Sequence, residues 1–271
     1  MPAAALLTLL ALLLAGCGEP GASPSTGSPQ SGPAEVVRVV DGDTLEADVA
    51  AERIEIRLLG INAPERGECW SEEARVALEA LVEGAAVTFD PAGGTDRFGR
   101  TLGYLSAGGR PVNLALVEMG AALALDDGHP LAADFLAAEE AAVAAGRGWW
   151  APDACGPASG AAVEIAGIEA DPEGRDEDHL DDEWVVLLNR GTTVDLSGWT
   201  LRDESSSNRY RFPTGTVLAS GDRLQIRTGC GPGDGLAWCS DGPVWSNGGD
   251  TVLLLDALGN VAARRRYPGA G

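Results

Sequence analysis

The segment Ala151–Ala162, APDACGPASGAA, divides the chain into two stretches whose hydrophobic patterns differ in period. Before it, alternating runs are followed by helical ones. After it come only short alternating runs, split by Gly, Asn, Asp and Pro. A chain that changes period at a Pro- and Gly-bearing break folds as two units, and 271 residues suffice for two cores.

In the first unit, EVVRVVDGDTLEADV alternates around an Asp-Gly turn signal and predicts strand, turn, strand. Arg53–Ile61, RIEIRLLGI, is a second alternating run, and Ala86–Asp90 and Thr101–Leu105 are short strands. Ser71–Gly84 predicts a helix, with Ser71 as N-cap, Glu72 and Glu73 in the first turn, and Gly84 at its end. Val76, Leu78, Leu81 and Val82 form its packing face. Asn113–Met119 and Leu131–Ala145 predict further helices, closed by Gly120 and Gly146. Strands first and helices later predict a small barrel or sheet with appended helices. In the second unit, EWVVLLN, DLSGWTLRD, RYRFP, DRLQIRT and DTVLLLDALGN predict an all-β sandwich.

The chain starts MPAAALLTLLALLLAGCGEP. Its apolar run Ala3–Ala15 has the length of a signal-peptide core and is too short for a comfortable membrane span. LAGC, ending at Cys17, resembles the lipobox of bacterial lipoproteins, which implies lipidation of Cys17 and a membrane anchor. No Lys or Arg precedes it, so a secreted, non-lipidated form or a misassigned start is the other reading. Residues 18–34 form a Gly/Ser/Pro linker.

Four cysteines remain, and four allow three pairings. Cys69–Cys155 with Cys230–Cys239 is the expected set, because each link then stays within one unit. Zinc would need C-x₂₋₄-C spacing or neighbouring histidines, and the sequence has neither.

The chemistry is constrained first by charge. The net charge is −22, and all 19 basic residues are arginine. The acidity is spread over both units, so diffuse charge does not attract nucleic acid, and a polyanion must be held locally by arginines or a cation. The only two histidines, His129 and His179, lie in loop-like segments and read as solvated residues. Any catalysis must therefore rest on carboxylates, arginines and a metal. Three segments supply them: VVDGDT with Asp41 and Asp43, RLLGINAPE with Arg57, Asn62 and Glu65, and TDRFGR with Asp96, Arg97 and Arg100. Two guanidiniums suit a bound anion, and oxygen donors suit a hard cation.

Together with VNLALVEMG, these segments resemble the staphylococcal-nuclease (thermonuclease) family in content, order and spacing, from Glu35 to about Trp150. The resemblance implies a five-stranded OB-type barrel with helices. It also implies calcium-dependent hydrolysis of DNA and RNA phosphodiesters. By position, Asp43 and Asn62 match calcium-ligand side chains, and Ala63 matches a ligand through its backbone carbonyl. Glu65 matches the general base, and Arg57 and Arg100 match the phosphate-binding arginines. Phe98 stands where many members carry a tyrosine. Asn62 is a neutral donor, which implies weaker calcium binding than an Asp-bearing relative shows. Trp149 and Trp150 are expected to pack near the Cys69–Cys155 link.

From about Val163 to Tyr267, DEWVVLLNRG, VDLSGWTLRDES, YRFPTGTVLASGD and NGGDTVLLLDALGN resemble the lamin-tail domain family, which implies an immunoglobulin-like sandwich for attachment or substrate contact, its ligand unassigned. The acidic run Asp171–Glu183 reads as a solvated loop, and Arg264–Arg266 as a surface cluster.

The expected organisation is a signal peptide (1–17), a linker (18–34), a nuclease-like unit (35–155), a linker (156–162) and a sandwich (163–271). The expected function is that of an exported, monomeric, calcium-dependent nuclease acting on DNA or RNA. The rival is a non-catalytic protein that binds nucleic acid or a cell-surface partner through barrel and sandwich.

Overall fold

The computed structural model describes residues 31–205 and 207–269. The expected signal segment, Cys17 and most of the first linker lie outside them.

The first unit is a closed five-stranded barrel with three helices. Strands β1 (Gly32–Val39) and β2 (Thr44–Val49) form the hairpin around the DGD turn. β1 starts three residues before Glu35, because Gly32–Ala34 pair with β5 (Val87–Thr95). β2 turns into β3 (Glu52–Leu58) through Ala50 and Ala51, both at positive φ. That is the backbone of a tight hairpin turn, built without the usual Asn or Gly. β6 (Thr101–Ala107) pairs antiparallel with β5 and parallel with β3, closing the circle β1–β2–β3–β6–β5. Leu45, Ala47, Ile56, Leu58, Phe89 and Leu105 fill the barrel.

β4 (Ile61–Asn62) leads into a loop and then α1 (Ser71–Val82), which buries Ala74, Leu78 and Val82. Ser71 does not cap α1. Its hydroxyl donates to the Glu68 carbonyl, and Trp70 precedes the helix at φ 68°. A short β7 (Arg110–Pro111), α2 (Val112–Glu118), β8 (Leu123–Ala124), which pairs with β4, and α3 (Ala132–Ala144) complete the unit. His129 is buried, not solvated: Nδ1 lies 2.8 Å from the Tyr104 hydroxyl, and the ring packs on Phe135.

The second unit is a sandwich. One sheet orders β16 (Leu236–Ala237), β15 (Arg223–Arg227), β10 (Trp184–Asn189) and β9 (Val163–Glu169). The other orders β13 (Arg209–Arg211), β12 (Thr200–Arg202), β17 (Gly249–Leu255) and β18 (Val261–Pro268). β11 (Val194–Asp195) pairs with β14 (Val217–Leu218). Val185, Leu187, Trp199, Leu201, Trp245 and Leu254 lie between the sheets. The acidic run is only partly solvated: Glu183 is buried, and its carboxylate accepts the N–H groups of Val244 and Trp245.

The units are packed together. β17 is buried along its whole length: Val252 and Leu254 enter the sandwich core, while Leu253 and Leu255 meet Leu123, Ala142, Trp149 and Trp150 of the first unit. The four successive apolar residues Val252–Leu255 are what a strand segment covered on both faces requires. Cys69–Cys155 and Cys230–Cys239 are disulfides, the first beside the two tryptophans. Arg264 and Arg266 are not a surface cluster, because both pair with Glu139 of α3, which is fully buried. Among the described residues no helix is long and apolar enough to cross a membrane.

Candidate active site

The DGD turn is held by Val40 N–H donating to Thr44 O (2.9 Å) and Asp43 N–H donating to the Asp41 carboxylate (3.1 Å). Gly42 is required by close approach: a Cβ there would lie 2.6 Å from the Cβ atoms of Ala63 and Ala74. The turn can thus lie against β4's exit and α1, which buries Asp43 to 5% exposure. Asp43 Oδ2 accepts the Ala63 N–H at 2.7 Å. Its Oδ1 lies 3.0 Å from Arg57 Nε and accepts the Thr44 hydroxyl at 3.0 Å. Burial pushes the Asp43 carboxyl up to about 6, against the pull of Arg57 and with the Asp41 charge adding to the rise.

Arg57, at the end of β3, is wrapped by the turn that follows it. Nη1 donates to the carbonyls of Leu58 and Ile61, both at 2.7 Å, and Nη2 donates to Asn62 Oδ1 at 2.9 Å. Three of the five guanidinium N–H donors have hydrogen-bond acceptors among the described residues, and Nε faces Asp43 as an ion pair. One Nη2–H remains for a ligand.

Arg100 is placed by an aspartate turn. Asp96 Oδ1 accepts the N–H groups of Phe98 and Arg100, and its Oδ2 accepts Arg100 Nε at 2.8 Å. Burial opposes the charge on Asp96, yet the hydrogen bonds from Arg100 and Phe98 hold its carboxyl below the ordinary value. Arg100 Nη1 reaches Thr44 Oγ1 at 3.4 Å. Asp43 is therefore tied to both arginines, to Arg57 directly and to Arg100 through Thr44. Phe98 is exposed, with the guanidiniums of Arg97 and Arg100 over its ring at 4.7 and 5.3 Å.

The loop after β4 faces the second unit. Asn62, 4% exposed, donates through Nδ2 to the Glu204 carbonyl at 2.9 Å. Glu65 is exposed, and its N–H donates to Glu68 Oε2 at 2.7 Å. Glu68 in turn pairs with Arg209 and lies 3.7 Å from Arg202 Nη1. Burial lowers the pKa of both arginines, and the Glu65 charge acts in the opposite sense.

Of the sequence-predicted residues, Asp43, Asn62, Ala63, Arg57 and Arg100 thus form one assembly, joined by hydrogen bonds and the Asp43–Arg57 ion pair. Glu65 stands at its exposed rim. Asp96, named with its motif, joins it as the support of Arg100, whereas Thr44, Glu68 and Glu204 were not expected as parts of it. Thr44 and Asp96 sit inside the quoted motifs, but Glu204 contributes only a carbonyl, which has no side-chain signature.

Among the described residues no three His, Cys, Asp or Glu side chains gather closely enough to hold a metal. A cation at this assembly would rely on one carboxylate, Asp43, with the Asn62 amide oxygen and the Ala63 carbonyl. These are all hard oxygen donors. Asp43 uses two of its roughly four acceptor positions on protein hydrogen-bond donors and faces Arg57 as an ion pair, and Asn62 Oδ1 uses one of two. The set fits a hard, loosely coordinated divalent ion such as calcium.

Residues 55–152 match the family model "Staphylococcal nuclease homologue", and residues 157–269 match "Lamin Tail Domain". Curated relatives include "Protein ParB" of Escherichia coli, 40% identical over 99 residues, which cover 33% of this chain and 55% of that protein. An "Uncharacterized endonuclease" of Escherichia coli O157:H7 is 40% identical over 88 residues, 32% of this chain and 57% of that protein. "Micrococcal nuclease" of Shigella flexneri is 37% identical over 99 residues, 33% of this chain and 56% of that protein. The chain thus spans a little over half the length of these relatives. It carries a staphylococcal nuclease homologue domain followed by a lamin tail domain.

Proposed function

We propose that this protein is a calcium-dependent nuclease that hydrolyses phosphodiester bonds of DNA or RNA. The observation that carries the reading is Asp43 binding Arg57 directly and Arg100 through Thr44. Three separate motifs thereby place two guanidiniums about one buried carboxylate. The nuclease names of two of the relatives support it.

In this reading the remaining Nη2–H of Arg57 and the outer edge of Arg100 bind the non-bridging phosphate oxygens. They tighten as negative charge develops on attack. Glu65, exposed and two residues from Ala63, orients a water and takes its proton. Asp43, Asn62 Oδ1 and the Ala63 carbonyl would hold the cation, which supplies charge neutralisation at the phosphate. Asp43 alone brings formal charge, so binding is weaker than in a relative with two carboxylates.

The lamin tail domain serves substrate contact. A cleft of about 400 Å³ at the domain junction is lined by Glu68, Trp149, Thr200, Arg209, Arg211 and Gly259. Arg209 and Arg211 alternate with buried Tyr210 on the edge strand β13, so both point to the same side. Export and a lipid anchor at Cys17 complete the proposal. They rest on the apolar N-terminal run and two disulfides of the kind that persist outside the cytoplasm.

The test is cleavage of plasmid DNA and of RNA, with calcium, with chelator, and with Glu65→Gln. Calcium-dependent cleavage lost in Glu65→Gln is expected. Cleavage indifferent to chelator, or none with calcium, overturns the reading.

A further inference from the structure

Asn62 is a neutral side chain among the expected cation ligands, and its surroundings give a reason. Its carboxamide lies between a donor and an acceptor. Arg57 Nη2 can only donate, so it must meet Oδ1, at 2.9 Å. The Glu204 carbonyl can only accept, so it must meet Nδ2, at 2.9 Å. These neighbours fix which way the amide points. An ionised aspartate would satisfy Arg57 but would set an oxygen against the Glu204 carbonyl. At 4% exposure little water can relieve that clash.

Glu204 is itself held in place. It follows β12, its N–H donates to Asp250 at 3.1 Å, and the preceding Arg202 donates to the carbonyls of Asp203 and Ser205. The domains are locked around this contact by the Glu139 ion pairs. Trp149 Nε1 also donates to the Gly259 carbonyl at 3.1 Å, and the Cys155 N–H to Asn260 Oδ1 at 2.7 Å. The carbonyl therefore cannot retreat without undoing the interface.

We propose that the lamin tail domain is a built-in part of the nuclease site: the Glu204 carbonyl is a positioning group that holds the Asn62 carboxamide with Oδ1 turned toward Arg57 and the cation, and this contact is what demands asparagine there. The cation half of this statement rests on the calcium reading above; the contact half does not.

Asn62→Asp in the full chain tests it with two readouts. Unfolding is followed first in chelator, where no cation contributes. A melting temperature lower than wild type by about 2–4 °C is expected. A variant as stable as wild type or more so, as an ion pair between the introduced carboxylate and Arg57 alone would make it, overturns the proposal. Calcium binding is then measured by calorimetry without substrate. Despite the added charge, an affinity gain of no more than about threefold is expected, because the carboxylate is pushed off the position that Nδ2 occupied. A larger gain overturns the positioning role. Absence of calcium binding in wild type overturns the cation reading, while the melting result still decides the contact. Should the variant not fold, side-chain amide NMR of the wild type decides. Slow exchange of the Asn62 amide protons and Overhauser contacts to residues 203–205 are expected, and fast exchange without them overturns the proposal.

Discussion

Glu139 of the nuclease domain is fully buried, and its Oε2 accepts Arg266 Nη2 of the lamin tail domain at 2.9 Å. Arg264 shares the same oxygen, and Oε1 accepts the Ala124 N–H at 3.0 Å. A carboxylate with these three partners is well compensated. Removing it strips two largely buried guanidiniums of their shared partner: Arg264 keeps only the exposed Glu140, and Arg266 the Ala124 carbonyl and Glu204 at 4.0 Å. Glu139→Ala is expected to cost about 3–5 kcal/mol of unfolding free energy, read by urea denaturation. A loss below about 1 kcal/mol, the scale of a surface pair, would contradict an interface locked at this point.

That interface also marks where the sequence stops being legible. Asp43 and Arg100 are readable because their supports are local: Asp41 and Thr44 in one motif, Asp96 in the other. The DGD hairpin and the helices are readable for the same reason. Glu139, in the run AAEEAAVAAG, has the look of a solvated helix face, and Arg264–Arg266 of a surface patch. Each is buried only because the other domain brings its counter-charge from more than a hundred residues away. Ala50 and Ala51 make a tight turn without a turn residue, because barrel closure imposes the backbone and the side chains merely tolerate it. Nothing near His129 announces the Tyr104 hydroxyl that pairs with it. The apolar run of β17 does signal burial on both faces, but it does not name the partner.

At the domain junction, the lamin tail carboxylates should set how stability responds to pH. Burial pushes the Asp250 carboxyl up to about 7, with the Asp203 charge adding to the rise and the N–H groups of Glu204, Thr251 and Ser246 opposing it. Glu204 reaches about 8, raised by burial and then by Asp250, and lowered by Arg266. Tyr267 also feels this cluster and is pushed up, first by burial. In the unfolded chain such carboxyls titrate near 4. Between pH about 4 and about 8 the native protein therefore holds protons that the unfolded chain has released, and stability falls as pH rises. Each such proton adds a slope of about 1.4 kcal/mol per pH unit. Asp250→Asn removes one titration and is expected to flatten the profile between about pH 4 and 7. Urea unfolding across that range checks it, and an unchanged slope would refute the assignment.

Arg100 offers a direct reading of transition-state binding, because its support is separate from the fold's core. Arg100→Ala is expected to lower kcat for plasmid cleavage by about 10²–10³, with KM changed far less. Arg100→Lys should recover less than tenfold of that. An ammonium cannot bond Asp96 through an Nε–H while presenting a second donor to Thr44 and a third to phosphate. Full rescue by lysine would mean that only a positive charge is needed there.

Arg211 separates substrate contact from chemistry. It is exposed, on the edge strand β13, and lines the junction cleft beside the loop that carries Glu65 and Glu68. In a protein of net charge −22, a polynucleotide running past the site needs local cations to be held at all. Arg211→Glu replaces attraction by repulsion at one phosphate. It is expected to raise KM for single-stranded DNA about three- to tenfold and to leave kcat within about twofold. The dependence of KM on salt should become shallower, since one fewer phosphate is neutralised. A dinucleotide too short to reach the cleft should be cleaved by variant and wild type alike. Equal effects on the dinucleotide and the long substrate would place Arg211 in the fold of the site rather than in the path of the strand.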